Sequence, residues 1–193
     1  MNSHFFALMS RMKYINRWGL MNNTKCENIC EHSLMVAMLS HALVTISNKR
    51  FLTNLNAEHA AMLGIYHDAS EIITGDMPTP IKYFNPKISE AYKQVEEVAQ
   101  EKLVSHLPED LKPDFEPLLT ICDEDKEYIP FVKAADKLSA LIKCIEEEKL
   151  GNREFEKAQS SISKSLVDMH LPYVDAFMEE FLPSFKLTLD EQD

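Results

Sequence analysis

The chemistry of this chain is concentrated in Tyr66-His67-Asp68-Ala69-Ser70-Glu71, which places an imidazole and two carboxylates close together. Imidazole nitrogen and carboxylate oxygen are the donor types that suit a divalent first-row metal. Glu71 follows His67 by four residues and Asp68 by three, spacings that share one face of a helix. A solvated helix end would account for Asp68 and Glu71 but not for His67, which directly follows the apolar run Leu63-Gly64-Ile65-Tyr66. Further ligands have to come from elsewhere in the chain. His32, directly after Glu31 in the first turn of another apolar run, is one candidate. Asp136, between Ala135 and Lys137, is the other. Each has a structural alternative: His32 as a partly buried surface histidine, Asp136 as the ion-pair partner of Lys133 or Lys137.

The elements that would position these residues read as helices. Only 4 glycines occur in 193 residues, and the length fits one domain over 1–193 with a sizeable core. The apolar spacing predicts helices over 3–16, with Ser3 as N-cap, and from 28 or 30 to 47, with Leu34, Ala37, Met38, Ala42 and Thr45 or Ile46 facing inward. A third helix is expected over 57–73, capped by Asn56, carrying His67, Asp68 and Glu71. Its small residues Ala57, Ala60, Ala61 and Gly64 predict close packing. Thr74-Gly75-Asp76-Met77-Pro78-Thr79-Pro80 should end it in a rigid loop that is either a structural turn or a pocket wall. Asn85 and Pro86 should open a fourth helix reaching about 107. A fifth is expected to start between 125 and 130 and stop at Gly151-Asn152. Two more, over 153–169 and 172–187, complete an all-α chain.

The formal net charge of −11, with no basic cluster, opposes binding to nucleic-acid polymers, which rests on cationic contacts to phosphate. A small phosphorylated ligand remains compatible if a metal ion and one arginine supply local positive charge. Cys26, Cys30, Cys122 and Cys144 read as reduced thiols, and Cys26-x-x-x-Cys30 beside His32 lacks the second pair that a zinc site would need. The apolar stretch 34–46 is too short to cross a bilayer, and no secretory leader is visible, so a cytoplasmic protein is expected. Trp18, the only tryptophan, directly follows Arg17 at a predicted helix end. It either caps a core beside a solvated arginine or belongs to the site.

The set His32, His67-Asp68, Asp136 resembles the HD-domain metal-dependent phosphohydrolases. Ser3-His4-Phe5-Phe6, Asn16-Arg17-Trp18, Glu31-His32-Ser33-Leu34, Tyr66 to Glu71, Gly75 to Pro80, Lys82-Tyr83-Phe84-Asn85 and Ala135-Asp136 are similar to the bacterial 5′-deoxynucleotidase (YfbR) family. Gly19 replaces the proline expected after the Arg-Trp pair. The resemblance implies an HD-domain helical bundle, a cytoplasmic homodimer and hydrolysis of deoxyribonucleoside 5′-monophosphates. It also implies one divalent ion per subunit, Co²⁺ or Mn²⁺ foremost, on His32, His67, Asp68 and Asp136. Glu71 would orient or deprotonate the water, or protonate the leaving 5′-oxygen. Arg17 would clamp phosphate, Trp18 would pack on the sugar or base, and Asp76, Met77, Pro78 and Thr79 would meet the nucleoside. His32, Asp68 and Asp136 would also border the substrate. The competing readings are a related hydrolase of nucleoside triphosphates or guanosine tetraphosphate, and a non-catalytic nucleotide-sensing helical protein.

Overall fold

Apart from one antiparallel bridge between Asn16 and Asn28, every regular element among the described residues is helical. The computed structural model describes residues 2–82, 84–120 and 122–193. Tyr83, within one of the motifs quoted above, lies outside them. The chain divides into two compact units, each assembled from separated stretches.

The first unit comprises Met1–Leu20, Cys26–Leu34 and Ile65–Glu127. Helix α1 (Phe5–Met9) tightens into a 3-10 helix over Ser10–Tyr14, so the continuous helix expected over 3–16 is replaced by two short pieces. His4 occupies the N-cap position without a side-chain cap, and Ser3, one residue earlier, accepts from the Phe5 N–H at 3.4 Å while its hydroxyl donates to the His106 carbonyl at 2.7 Å. Helix α2 (Ile29–Arg50) begins in this unit. Asn28 Oδ1 accepts from the Glu31 N–H at 3.1 Å, and the Glu31 carboxylate accepts from the Asn28 N–H at 3.4 Å. This reciprocal capping box sets the start of α2, and His32 is the next residue along.

Helices α3 (Ala57–Tyr66), α4 (Glu71–Thr74), α5 (Thr79–Lys82), α6 (Pro86–Val104) and α7 (Lys112–Leu119) follow in chain order. Asn85 caps α6 as expected, accepting from the Ile88 N–H at 2.9 Å with Pro86 in the first turn. The core of this unit gathers Phe5, Ala69, Leu103, Val104, Leu107 and Leu119, with Phe115 edge-on to Phe5 at 5.6 Å. Ala69, next to Asp68, is thereby anchored in packed apolar surroundings.

The second unit comprises Met21–Lys25, Met35–Gly64 and Tyr128–Asp193. It holds the rest of α2, most of α3, and helices α8 (Ile129–Lys149), α9 (Glu156–Val167) and α10 (Pro172–Glu180). Asn56 caps α3 through the His59 N–H at 3.1 Å. The predicted close approach is present at Gly64, where an added Cβ would lie 2.8 Å from the Ala37 Cα. Gly151 at φ +81° follows the end of α8, the stop expected for the fifth predicted helix. Phe131 stacks on Tyr173 at 4.3 Å within a core that includes Val36, Leu43, Leu138, Leu141 and Val174.

Buried Glu147 pairs with Lys143 and accepts from the backbone N–H groups of Thr24 at 2.9 Å and Lys25 at 3.1 Å. Burial disfavours its ionisation, but Lys143 and these donors outweigh it and hold the carboxyl well below the usual range.

On α2, Ala37 and Ile46 are buried as expected, but Leu34 and Met38 are not. Leu34 and Met38 are 59% and 53% exposed, whereas His32, Ser33, Val36, Ala37, Leu39, Ser40, Leu43, Val44 and Ser47 are buried. Serines share the packed side with Val36, Leu39 and Leu43, which turns Leu34 and Met38 outward. The whole of α2 is also long and apolar enough to cross a membrane by length and composition, which the shorter stretch 34–46 is not. Of its apolar window, 56% is buried inside the protein.

Candidate metal centre

Helix α3 does not continue to residue 73. It stops at Tyr66, and the backbone contracts into three-residue turns: the Ala69 N–H donates to Tyr66, Glu71 to Asp68 and Ile73 to Ser70, each at 3.0 Å. His67 and Asp68 therefore project from a tight turn between helices, not from a helix face. In such a turn, side chains three apart eclipse one another. Asp68 and Glu71 remain neighbours for that reason, and the predicted proximity survives although the predicted helix does not. Gly75, at φ +74°, closes α4 in a conformation that a Cβ would strain.

His32 is fully buried in the first turns of α2, and its ring centroid lies 5.2 Å from that of His67. Asp68 Oδ2 is 3.0 Å from His67 Nε2 and 3.5 Å from His32 Nε2. Ligating atoms of the three residues all fall within 4.8 Å of one another. Around an ion bound at about 2.0–2.2 Å, neighbouring donor atoms are roughly 3.0–3.5 Å apart. The donor types of the His-His-Asp group suit a divalent metal, and both Asp68–histidine distances match that spacing. Burial disfavours the ionised form of Asp68, but His67, His32 and Arg17 outweigh it and keep the carboxylate charged. Asp136 lies half-buried on α8 of the second unit, between buried Ala135 and half-buried Lys137.

Glu71 is buried, and its Oε2 meets no hydrogen-bond partner among the described residues. Burial first, and then the charges of Asp68 and Asp76, push its carboxyl up to about 9 against the opposing pull of Arg17 and Lys82. Asp76 is also raised, chiefly by burial. Its Oδ2 accepts the Trp18 N–H at 3.2 Å. Met77 and Pro78 are half-buried, and Thr79 is exposed at the start of α5. The Pro78 carbonyl opens that helix by accepting from Ile81 at 2.8 Å.

Arg17 Nη1 lies 2.7 Å from His32 Nδ1 and 2.8 Å from Glu27 Oε2. The same Glu27 oxygen accepts the Trp18 indole N–H at 2.9 Å. The turn in this segment falls on Gly19 and Leu20, as the glycine suggested, and Trp18 directly before it stands at φ +61°. A bulky residue in the left-handed region is an outlier. Sequence reasoning missed Glu27. Its only trace was an isolated carboxylate in a polar stretch, ten residues after Arg17. Cys26 and Cys30 are exposed.

Comparison with known proteins identifies the family and the fold. A family model described as "5'-deoxynucleotidase YfbR-like" matches residues 4–185. A "5'-deoxynucleotidase yfbR" of Photorhabdus temperata is 52% identical over 189 residues, covering 98% of this chain and 96% of that protein. A 5'-deoxynucleotidase of Yersinia pestis (strain Pestoides F) is 53% identical with the same coverage, 98% and 96%. An HD-domain phosphohydrolase from Listeria innocua superposes with a TM-score of 0.82 at 22% identity, over 94% of this chain and 88% of its own. The cyanophage S-2L HD phosphohydrolase DatZ, described as bound to dA and one catalytic Zn²⁺ ion, does so with a TM-score of 0.67 at 20% identity, over 94% and 96%. The fold is that of the HD-domain phosphohydrolases, and the chain belongs to the YfbR-like 5′-deoxynucleotidase family.

Proposed function

We propose that this chain is a metal-dependent 5′-deoxynucleotidase that hydrolyses deoxyribonucleoside 5′-monophosphates to deoxynucleoside and phosphate. The observation that carries the reading is the convergence of His32, His67 and Asp68 beside Arg17 and buried Glu71, in a chain of this family. His32, His67 and Asp68 would hold the ion, with Asp136 as fourth ligand on the strength of the family resemblance. When bound, a divalent metal supplies Lewis-acid neutralisation of the phosphoryl charge and makes water acidic enough to attack near neutral pH.

The remaining steps belong to the protein. Arg17 offers a planar fork of donors to the phosphate oxygens. Glu71 holds its proton in a buried setting, available to the 5′-oxygen as the P–O bond breaks. Asp76 borders the sugar through the same segment that carries Met77, Pro78 and Thr79, and the Trp18 ring packs on the nucleoside. The enzyme acts as one catalytic domain over 1–193, in a cytoplasmic homodimer with one Co²⁺ or Mn²⁺ per subunit. The curated relatives named as 5′-deoxynucleotidases support the substrate class, and the dA-bound phage enzyme is consistent with it.

The test is phosphate release from a panel of deoxyribo- and ribonucleoside mono- and triphosphates and guanosine tetraphosphate, with added Co²⁺ or Mn²⁺. Metal-dependent release from deoxynucleoside 5′-monophosphates, exceeding that from ribonucleotides, is expected. Release confined to triphosphates or to guanosine tetraphosphate would overturn the assignment.

A further inference from the structure

Glu27 is placed to control both substrate-facing groups of the Asn16-Arg17-Trp18 segment. One of its oxygens, Oε2, accepts from Arg17 Nη1 at 2.8 Å and from Trp18 Nε1 at 2.9 Å. The backbone is joined at the same place. The Arg17 N–H donates to the Glu27 carbonyl at 2.9 Å, and the Ile29 N–H donates to Ile15 at 3.0 Å. The Arg17 and Glu27 side chains are only 12% and 16% exposed, so their pair is sheltered from the screening that weakens surface ion pairs. The guanidinium also lies 5.8 Å from the centre of the Trp18 ring, within cation–π range.

Trp18 needs such a holder, because its φ of +61° is costly for a residue with a bulky side chain. Strain of that kind persists only where the surroundings over-determine the conformation. Here Asp76 takes the Trp18 backbone N–H at 3.2 Å and Glu27 takes its indole N–H. The main chain and the side chain of one strained residue are thus tied to two separate carboxylates.

We propose that Glu27 is a positioning residue, fixing the Arg17 guanidinium and the Trp18 indole in one preformed arrangement that receives the phosphate and the nucleoside of the substrate. This rests on the deoxynucleotidase reading for the identity of the substrate, but not for the contacts. Glu27 itself touches no reacting atom. Its effect passes through a single oxygen shared by two donors, which a neutral amide cannot reproduce for the charged one.

The experiment uses the full-length, Mn²⁺-loaded protein and the variants Glu27→Gln and Glu27→Asp. Trp18, the only tryptophan, reports its own environment through acrylamide quenching of its fluorescence. Glu27→Gln is expected to keep its metal and raise quenching. It should lower kcat/KM for deoxyadenosine 5′-monophosphate by about 10–100-fold, the loss typical of one charge-assisted hydrogen bond, mostly through KM. Glu27→Asp retains the charge at shorter reach and should show a smaller KM rise, which also serves if the Gln variant does not fold. In an Arg17→Ala background, the Glu27→Gln effect on KM should shrink to a few-fold. Unchanged quenching and KM in both variants would overturn the proposal. So would parallel loss of metal, kcat and thermal stability, which marks a merely structural residue. Failure of the wild-type protein to hydrolyse the nucleotide would refute the substrate reading instead, leaving the quenching comparison to decide the role of Glu27.

Discussion

Arg17 Nη1 lies 2.7 Å from His32 Nδ1. A guanidinium can only donate, so this ring nitrogen must present its lone pair and the neutral ring must carry its proton on Nε2. Metal ligation through Nε2 requires the opposite tautomer. Loading the metal through Nε2 therefore ends this hydrogen bond, and the guanidinium, still held by Glu27, turns that N–H toward phosphate. Arg17→Ala is accordingly expected to bind Mn²⁺ at least as tightly as the wild type, while kcat/KM falls by roughly 100-fold or more for lack of the phosphate clamp. Calorimetric titration of metal into both proteins checks this; weaker binding by the variant would show that Arg17 supports the ligand.

Glu71 separates chemistry from binding. Glu71→Ala should retain metal and nucleotide but lose about 10²–10⁴-fold in kcat, the usual range for general acid–base assistance. Metal analysis and turnover on the one variant decide it: near-normal kcat with metal retained would assign the proton transfer elsewhere.

The same residue makes a pH prediction for the metal-free protein. Its carboxyl stands at about 9 in the fold against an ordinary 4.5, for which burial is the first cause. A carboxyl raised on folding leaves the folded state holding a proton that the unfolded state has released. Stability from this group is full below about 4.5 and declines as pH climbs toward 9. Glu71→Gln removes that decline, so the Tm of the metal-free variant should exceed that of the wild type by at least ~2–4 °C at pH 9, equivalent to about 1 kcal/mol. At pH 4 the gap should close. Thermal melts at both pH values are the check, and equal Tm values throughout would contradict the burial argument.

Gly64 gives a prediction about packing alone. A methyl group there meets the Ala37 backbone at 2.8–2.9 Å, which rigid main chain cannot relieve cheaply. Gly64→Ala should destabilise by about 1–3 kcal/mol despite the better helix propensity of alanine. Denaturant unfolding measures it, and a stabilised variant would mean that α3 shifts freely on α2.

Much of this was legible where local chemistry punctuates the chain. Asn85-Pro86, Asn56 and Gly151 act within one turn of themselves, and the helix ends they announce are present. The His32, His67 and Asp68 group could be read because buried imidazoles among apolar residues have few structural uses. The break at His67 could not be read. Apolar spacing runs on to Ile73, and a contraction from four-residue to three-residue hydrogen bonds leaves no mark in composition. On α2, Ala37 and Ile46 face inward as their spacing suggests, but Leu34 and Met38 do not, because hydrophobicity favours them over serines while tight helix contacts favour the small side chains. Glu27 and the strained Trp18 depend on two chain segments meeting at the Asn16–Asn28 bridge, a pairing that no single window contains.

The central claim is that His32, His67 and Asp68 hold the ion on which hydrolysis depends. Its most direct test is the metal content of Asp68→Ala after dialysis against Mn²⁺, measured beside wild type together with phosphate release from deoxyadenosine 5′-monophosphate. Asp68 Oδ2 faces both imidazole nitrogens at 3.0 and 3.5 Å, so its removal should leave the helical circular-dichroism signal intact while abolishing both bound metal and turnover. A folded Asp68→Ala protein that still carries one equivalent of metal and hydrolyses the nucleotide would contradict it.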